Sequence, residues 1–133
     1  MTVQARIHPA VAGQHYRSLE LASRVGDATP HGLVALLYEE LLRSLDVIIA
    51  EAGKGVTLPG NRHTIKARSI LVALEASLDF DHGGDLALVL AKVYRATGRE
   101  FAEAVGSGDE VKLKEVREAV STIAYSWASL TAA

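Results

Sequence analysis

Residues 61 to 87 read NRHTIKARSILVALEASLDFDHGGDLA, and their pattern predicts one helix, a tight turn and the start of a second helix. Asn61 follows the flexible pair Pro59-Gly60, and its side-chain oxygen can accept hydrogen bonds from the N–H groups of a first helical turn. Gly83-Gly84 can adopt positive φ, a geometry that ends helices. The stretch therefore predicts a helix that begins after Asn61 and ends at this glycine pair.

This helix is apolar over most of its circumference. Its first apolar row holds Ile70, Leu71, Leu74 and Leu78, and its second row holds Ile65, Val72, Ala76 and Phe80. A helix with so narrow a polar stripe is expected to be covered by neighbours on more than one side. The pattern thus predicts that it lies within a bundle of helices.

Three more helices are expected around this stretch. One begins at Thr29-Pro30, where threonine is a typical N-cap and proline favours the first helical position. Another runs from Asp85 to about Val105, and the last follows an N-cap at Asp109. The predicted core-facing row of the helix from Asp85 is Leu86, Leu90, Val93, Thr97, Phe101 and Ala104. Four helices of about 20 residues, each about 30 Å long, predict an all-α fold with an antiparallel four-helix bundle over residues 29–133.

Residues 1–28 lack a long apolar period and are predicted to form a mobile N-terminal tail. Tyr16 and Leu19 lie at helical spacing, so residues 14–24 could form a short helix that docks on the bundle. A frayed tail is the alternative, because so short a helix is marginal in water without packing.

Composition narrows the classes of function. The chain has 133 residues, no cysteine, and 14 basic against 16 acidic side chains. We expect one domain without disulfides, and its net charge of −2 gives no overall field for binding nucleic acid. It shows neither a secretory signal pattern nor an apolar run of membrane-spanning length, so we expect a cytoplasmic protein without membrane insertion.

The first long helix has more apolar surface than one core can use. One face carries Leu33, Leu37, Leu41, Leu45 and Ile48, and another carries Val34, Tyr38, Leu42 and Ile49. Two interpretations remain open: burial by neighbouring helices on several sides, or a groove for the apolar helix of a partner.

Residues that could carry catalysis are sparse. The histidines are scattered, and no helix contains Glu-x-x-His, the motif that helps build di-metal sites in some bundles. Asp79, Asp81, His82 and Asp85 cluster at the predicted turn, where helix capping is favoured over cation binding because no bidentate glutamate follows at loop spacing. We expect no enzymatic activity, no metal and no cofactor.

One short motif indicates a different class. His63-Thr-Ile-Lys66-Ala67 resembles the His-x-x-Lys-small pattern of histidine phosphotransfer domains, which are also four-helix bundles. In that family the histidine lies well within its helix, whereas His63 comes two residues after the predicted N-cap. A phosphotransfer domain that uses His63 is the alternative function.

A longer set of residues resembles the flagellar secretion chaperone family. The similarity covers roughly residues 16–128. The matching residues are Thr29-Pro30, Leu33, Leu37-Tyr38, Asn61-Arg62, Ile65-Lys66-Ala67, Ile70, Leu74, Ser77-Leu78-Asp79, Gly83-Gly84, Leu86-Ala87, Leu90 and Tyr94. The chain departs from the family pattern after Tyr38, where Glu39-Glu40-Leu41 replaces an acidic residue or asparagine, a glycine and a small residue.

The resemblance implies a chaperone that binds the C-terminal segment of flagellin, prevents premature polymerisation and delivers the subunit to the flagellar export gate. It also implies that the tail tyrosine, here Tyr16, can cover the binding groove in the free protein. With the surplus apolar surface described above, the predicted partner-binding residues are Tyr16, Leu33, Val34, Leu37, Tyr38, Leu42 and Ile49.

Overall fold

The computed structural model describes the backbone of residues 9–130 and the side chains of residues 17–130. Over this range there are five α-helices and no strand. They are α1 (Pro9–Asp27), α2 (Pro30–Gly53), α3 (Arg62–Ala76), α4 (Phe80–Ser107) and α5 (Glu110–Ser129). Both α2 and α4 pack on α3 and on α5, so α2 and α4 face each other across the bundle diagonal. The predicted helical bundle with an extra N-terminal element is confirmed.

Within the described residues, each helix is too short or too polar to span a lipid bilayer.

The predicted helix starts are confirmed by their caps. The Thr29 hydroxyl accepts from the Gly32 N–H at 3.0 Å, and Pro30 is the first residue of α2. The Asn61 side chain accepts from the first turn of α3, and Asp109 does the same for α5. Side-chain capping therefore fixes where these helices begin.

The turn between α3 and α4 differs from the prediction. α3 ends at Ala76 rather than at the glycine pair, and Asp79 then caps α4 by accepting from the N–H groups of Asp81 and His82, each at 3.1 Å. Gly84, with φ 51° and ψ −131°, lies inside α4 and kinks it. The predicted end of α3 is wrong because an aspartate cap starts the next helix before the glycines are reached.

The core lies between α2, α3, α4 and α5. Its largest fully buried side chains include Leu41, Leu45, Ile48, Leu74, Phe101 and Leu113. α3 buries Ile70, Leu71 and Leu74 of its first apolar row together with Thr64 and Ala67, whereas Ile65 and Val72 of the second row are exposed. α3 packs on both α2 and α4, so the expected neighbours on more than one side are present, but they leave this second row uncovered.

α1 extends beyond the short helix predicted for residues 14–24. Its Arg24 Nη2 lies 2.6 Å from Glu39 Oε2 of α2, and Leu21 is half-buried whereas Leu19 is exposed. α1 thus lies beside α2, and the mobility of residues 1–28 stays a prediction.

Candidate partner-binding surface

The predicted binding residues of α2 differ in their burial. Leu33 is exposed and Tyr38 is buried, while the others are half-buried and pack against the core; these are Val34, Leu37, Leu42 and Ile49. The side chain of Tyr16 lies outside the described residues.

Two of these residues lie on the side of α2 that faces α3. Leu33 and Leu37 share a helical face with Glu40, because they precede it by seven and three residues. The Glu40 carboxylate lies 3.4 Å from Lys66 Nζ of α3. This ion pair places Leu33 and Leu37 along the α2–α3 boundary.

Two others lie on the opposite side. Leu42 and Ile49 flank Asp46, whose carboxylate accepts from Arg117 Nε of α5 at 2.7 Å. They therefore border the α2–α5 contact. The candidates on α2 are thus divided between its two sides, and their contact with a partner stays a prediction.

Tyr38 points into the interior, where it is 2% exposed. Its hydroxyl is hydrogen-bonded to the Tyr94 hydroxyl across the bundle diagonal, and its ring lies edge-on to Trp127 at a centroid distance of 6.3 Å. Burial raises the pKa of both tyrosines above the usual range, so both hydroxyls stay protonated at neutral pH. In this conformation Tyr38 is enclosed in the interior, where it contacts Tyr94 and Trp127.

An apolar cavity of about 290 Å³ opens at the end of the bundle where α2 and α4 begin and α5 ends. We call it the end cavity. Its apolar and aromatic lining residues are Val34, Leu78, Leu86, Ala87, Leu90, Tyr94 and Trp127, with Pro30 and His31 at the start of α2. Among the predicted binding residues whose side chains are described, Val34 alone lines it. The end cavity thus combines side chains that lie far apart in the sequence.

Trp127 and His31 form an ordered wall of this cavity. Their rings stack with centroids 4.5 Å apart and an interplanar angle of 11°. The Trp127 indole N–H also donates to the His31 carbonyl oxygen at 3.0 Å. These two contacts fix the indole against α2, so the wall exists before any partner binds.

The α4 side of the cavity was missed by sequence reasoning. Leu86, Leu90 and Val93 were expected to face the core, but the fully buried residues in the first half of α4 are Ala87, Ala91 and Tyr94. Leu86 is 48% exposed, and Leu90 and Val93 are half-buried. The prediction is wrong for Leu86, because small alanines rather than this leucine face the core, while half-buried Leu90 packs against the core as expected. The sequence feature that could have indicated exposed apolar residues here is the run Leu-Ala-Leu-Val-Leu over residues 86–90, because one buried stripe cannot include all of it.

The rim of the end cavity at the α3–α4 turn is polar. Asp79 Oδ2 lies 2.8 Å from His82 Nδ1, in addition to the backbone bonds of the cap. The hydrogen bond from His82 lowers the pKa of Asp79, and the backbone N–H bonds act in the same direction. Among the described residues, no group of three or more His, Asp or Glu side chains is arranged to hold a metal ion.

His63 lies in the first turn of α3, away from the end cavity. It is half-buried, and Arg62 Nε lies 3.5 Å from its Nε2 atom. His63, the residue suggested for phosphotransfer, thus lies beside the Arg62 guanidinium group in the first turn of α3.

Comparison with known proteins favours the chaperone resemblance. Residues 12–133 match the family model described as flagellar protein FliS. The chain is 27% identical over 115 residues to the flagellar secretion chaperone FliS of Vibrio cholerae. This alignment covers 86% of this chain and 84% of that protein.

Two further relatives agree with this match. The flagellar secretion chaperone FliSB of Pseudomonas aeruginosa is 29% identical over 122 residues, with 87% of this chain and 92% of that protein covered. The flagellar secretion chaperone FliS of Salmonella typhimurium is 26% identical over 117 residues, with 87% of each chain covered. Since the family model spans nearly the whole sequence, the chain belongs to the FliS family of flagellar secretion chaperones.

Proposed function

We propose that this chain is a cytoplasmic, non-enzymatic chaperone that binds the C-terminal segment of flagellin. Binding would keep that segment from polymerising and would hold the subunit for delivery to the flagellar export gate. Membership of the FliS family supports the role in flagellar export. The choice of partner rests on the three relatives' shared designation as flagellar secretion chaperones and on the apolar surface of this bundle.

The observation that carries the proposal is the end cavity with Leu86 at its exposed side. A segment that folds into a helix on binding must offset the loss of its conformational entropy with apolar burial. Full burial of one leucine-sized side chain contributes about 1.5–3 kcal/mol. A cavity walled by Val34, Leu90 and Trp127 offers such burial to an apolar side chain of the partner.

The residues of α2 extend this surface in the proposal. Val34 would contact the partner within the cavity, and exposed Leu33 would contact it along the α2–α3 boundary. Leu37, Leu42 and Ile49 are proposed as further contacts at the two edges of α2. Tyr38 would act by holding Trp127 and Tyr94 in place, since its own side chain is enclosed.

Tyr16 is proposed to compete with flagellin for the apolar surface. If it covers part of that surface in the free protein, only the uncovered fraction of molecules binds, and the apparent affinity falls by that fraction. Tyr16→Ser should then strengthen flagellin binding, measured by calorimetric titration. Unchanged or weaker binding would remove Tyr16 from the proposal as a competitor.

The proposal is tested by charge substitution at the end cavity. Leu86→Asp should weaken binding of a peptide from the flagellin C-terminal region by about tenfold or more, because a carboxylate would be desolvated against apolar walls. Val111→Asp is the matched control, since Val111 is 66% exposed at the start of α5 and does not line the cavity. Circular dichroism verifies that both variants stay helical. Equal affinity of the two variants would place the flagellin contact elsewhere.

A further inference from the structure

A second cavity, of about 360 Å³, lies between α1, α2 and α3 and has a different chemistry. We call it the basic cavity. Its charged lining residues are Arg17 of α1, Glu40 and Arg43 of α2, and Arg62 and Lys66 of α3, and His63 also lines it. The flagellin surface proposed above does not use these side chains.

The basic cavity concentrates positive charge in a chain whose net charge is −2. Four cationic side chains surround a single carboxylate, which leaves an excess of three positive charges with His63 neutral. α3 adds to this field, because its N-terminus carries partial positive charge and its first turn contains no acidic residue.

Glu40 neutralises only part of this charge. Its side chain is 16% exposed and lies 3.4 Å from Lys66 Nζ and 3.6 Å from Arg43 Nε. Neither Arg17 nor Arg62 forms an ion pair with a carboxylate in the described part of the chain. Two guanidinium groups from different helices are therefore available to an anion.

We propose that the basic cavity binds a small phosphate-class anion, such as a diphosphate or a phosphate ester. A guanidinium group offers parallel N–H donors that match two oxygens of a phosphate. The cavity volume is that of a small-molecule site and is too small for a helical segment of a partner. An acidic peptide is therefore the less favoured occupant.

Binding of this anion links three helices. Its oxygens accept hydrogen bonds from the guanidinium groups of Arg17 on α1 and Arg62 on α3. The positive charge of Arg43 on α2 also attracts the anion. A ligand that binds only the folded arrangement stabilises it by mass action. The anion thus stabilises the position of α1 against the bundle.

The test uses the full chain and inorganic pyrophosphate, titrated by calorimetry at constant ionic strength. We expect one site, with affinity about tenfold weaker in Arg17→Gln and in Arg62→Gln, since each replacement removes charge-assisted hydrogen bonds. Lys92→Gln removes an exposed charge from α4 and should bind as the wild type does. Orthophosphate should bind more weakly than pyrophosphate because it carries less charge.

Three outcomes would overturn the proposal. Equal pyrophosphate affinity in the wild type and all three variants would show that the anion binds elsewhere on the protein. No binding to the wild type would show that the basic cavity is not an anion site. A polyglutamate peptide that binds through Arg17 and Arg62 while pyrophosphate does not would show that the cavity recognises an acidic chain instead.

Discussion

At the scale of single residues, the buried pair Tyr38 and Tyr94 is the main polar contact inside the bundle. The two hydroxyls are hydrogen-bonded to each other across the diagonal, in an interior built mainly from aliphatic side chains and Phe101. A buried polar group costs free energy unless it is hydrogen-bonded. Because each hydroxyl is the partner of the other, the pair links α2 to α4 across the bundle diagonal.

We predict that Tyr38→Phe and Tyr94→Phe each lower the free energy of unfolding by about 1–3 kcal/mol, because each leaves one buried hydroxyl unpaired. The free energy of unfolding of the double variant should fall by less than the sum of the two single losses, because the double variant has no hydroxyl left unpaired. Denaturant unfolding of the four proteins measures this coupling. Tyr125→Phe, at a residue that is 77% exposed, is the control and should change stability by less than about 0.5 kcal/mol. Additive losses would contradict the proposed pairing.

Asp79 provides a pH-dependent prediction. Its folded-state pKa is lowered, first by the hydrogen bond from His82, so its charge stabilises the fold above its ordinary pKa of 3.8. That contribution is lost as the pH falls through the lowered folded-state pKa. Asp79→Asn keeps the shape of the cap without its charge. The variant should therefore have a lower free energy of unfolding than the wild type at pH 7, and this difference should vanish at low pH. Unfolding measured from pH 7 to pH 2 checks this; a constant difference would refute it.

At the scale of elements, α4 shows where sequence periodicity succeeds and where it does not. Thr97, Phe101 and Ala104 were predicted to face the core and are buried. In the first half of the helix, however, alanines are buried while Leu86 is exposed. Periodicity identifies a helix and its approximate faces, but the exact buried row also depends on how closely neighbouring helices approach.

Two glycines of α4 should respond in opposite ways to alanine. Gly98 has helical geometry and open space for a Cβ atom, so Gly98→Ala should raise the free energy of unfolding by about 0.4–1 kcal/mol. Gly84 has φ 51°, so Gly84→Ala should lower it by about 1–3 kcal/mol through backbone strain. Thermal and denaturant unfolding measure both changes. A stabilising Gly84→Ala would show that the kink at this residue is not required.

At the scale of the whole molecule, the number and order of the bundle helices followed from caps, breakers and apolar spacing. Thr29, Asn61 and Asp109 are local signals, and each begins a helix as predicted. The end cavity could not be predicted in the same way, because Val34, Leu86 and Trp127 come from three helices that only the tertiary fold brings together. The candidates chosen from α2 alone therefore fell on both of its sides.

The most direct test of this account is calorimetric titration of the full chain with a peptide from the C-terminal region of flagellin, repeated at several temperatures. If apolar burial with coupled folding drives recognition, binding should be tight and should show a large negative heat-capacity change. Binding with a heat-capacity change near zero would contradict the apolar mechanism, and the absence of binding would contradict the proposed partner itself.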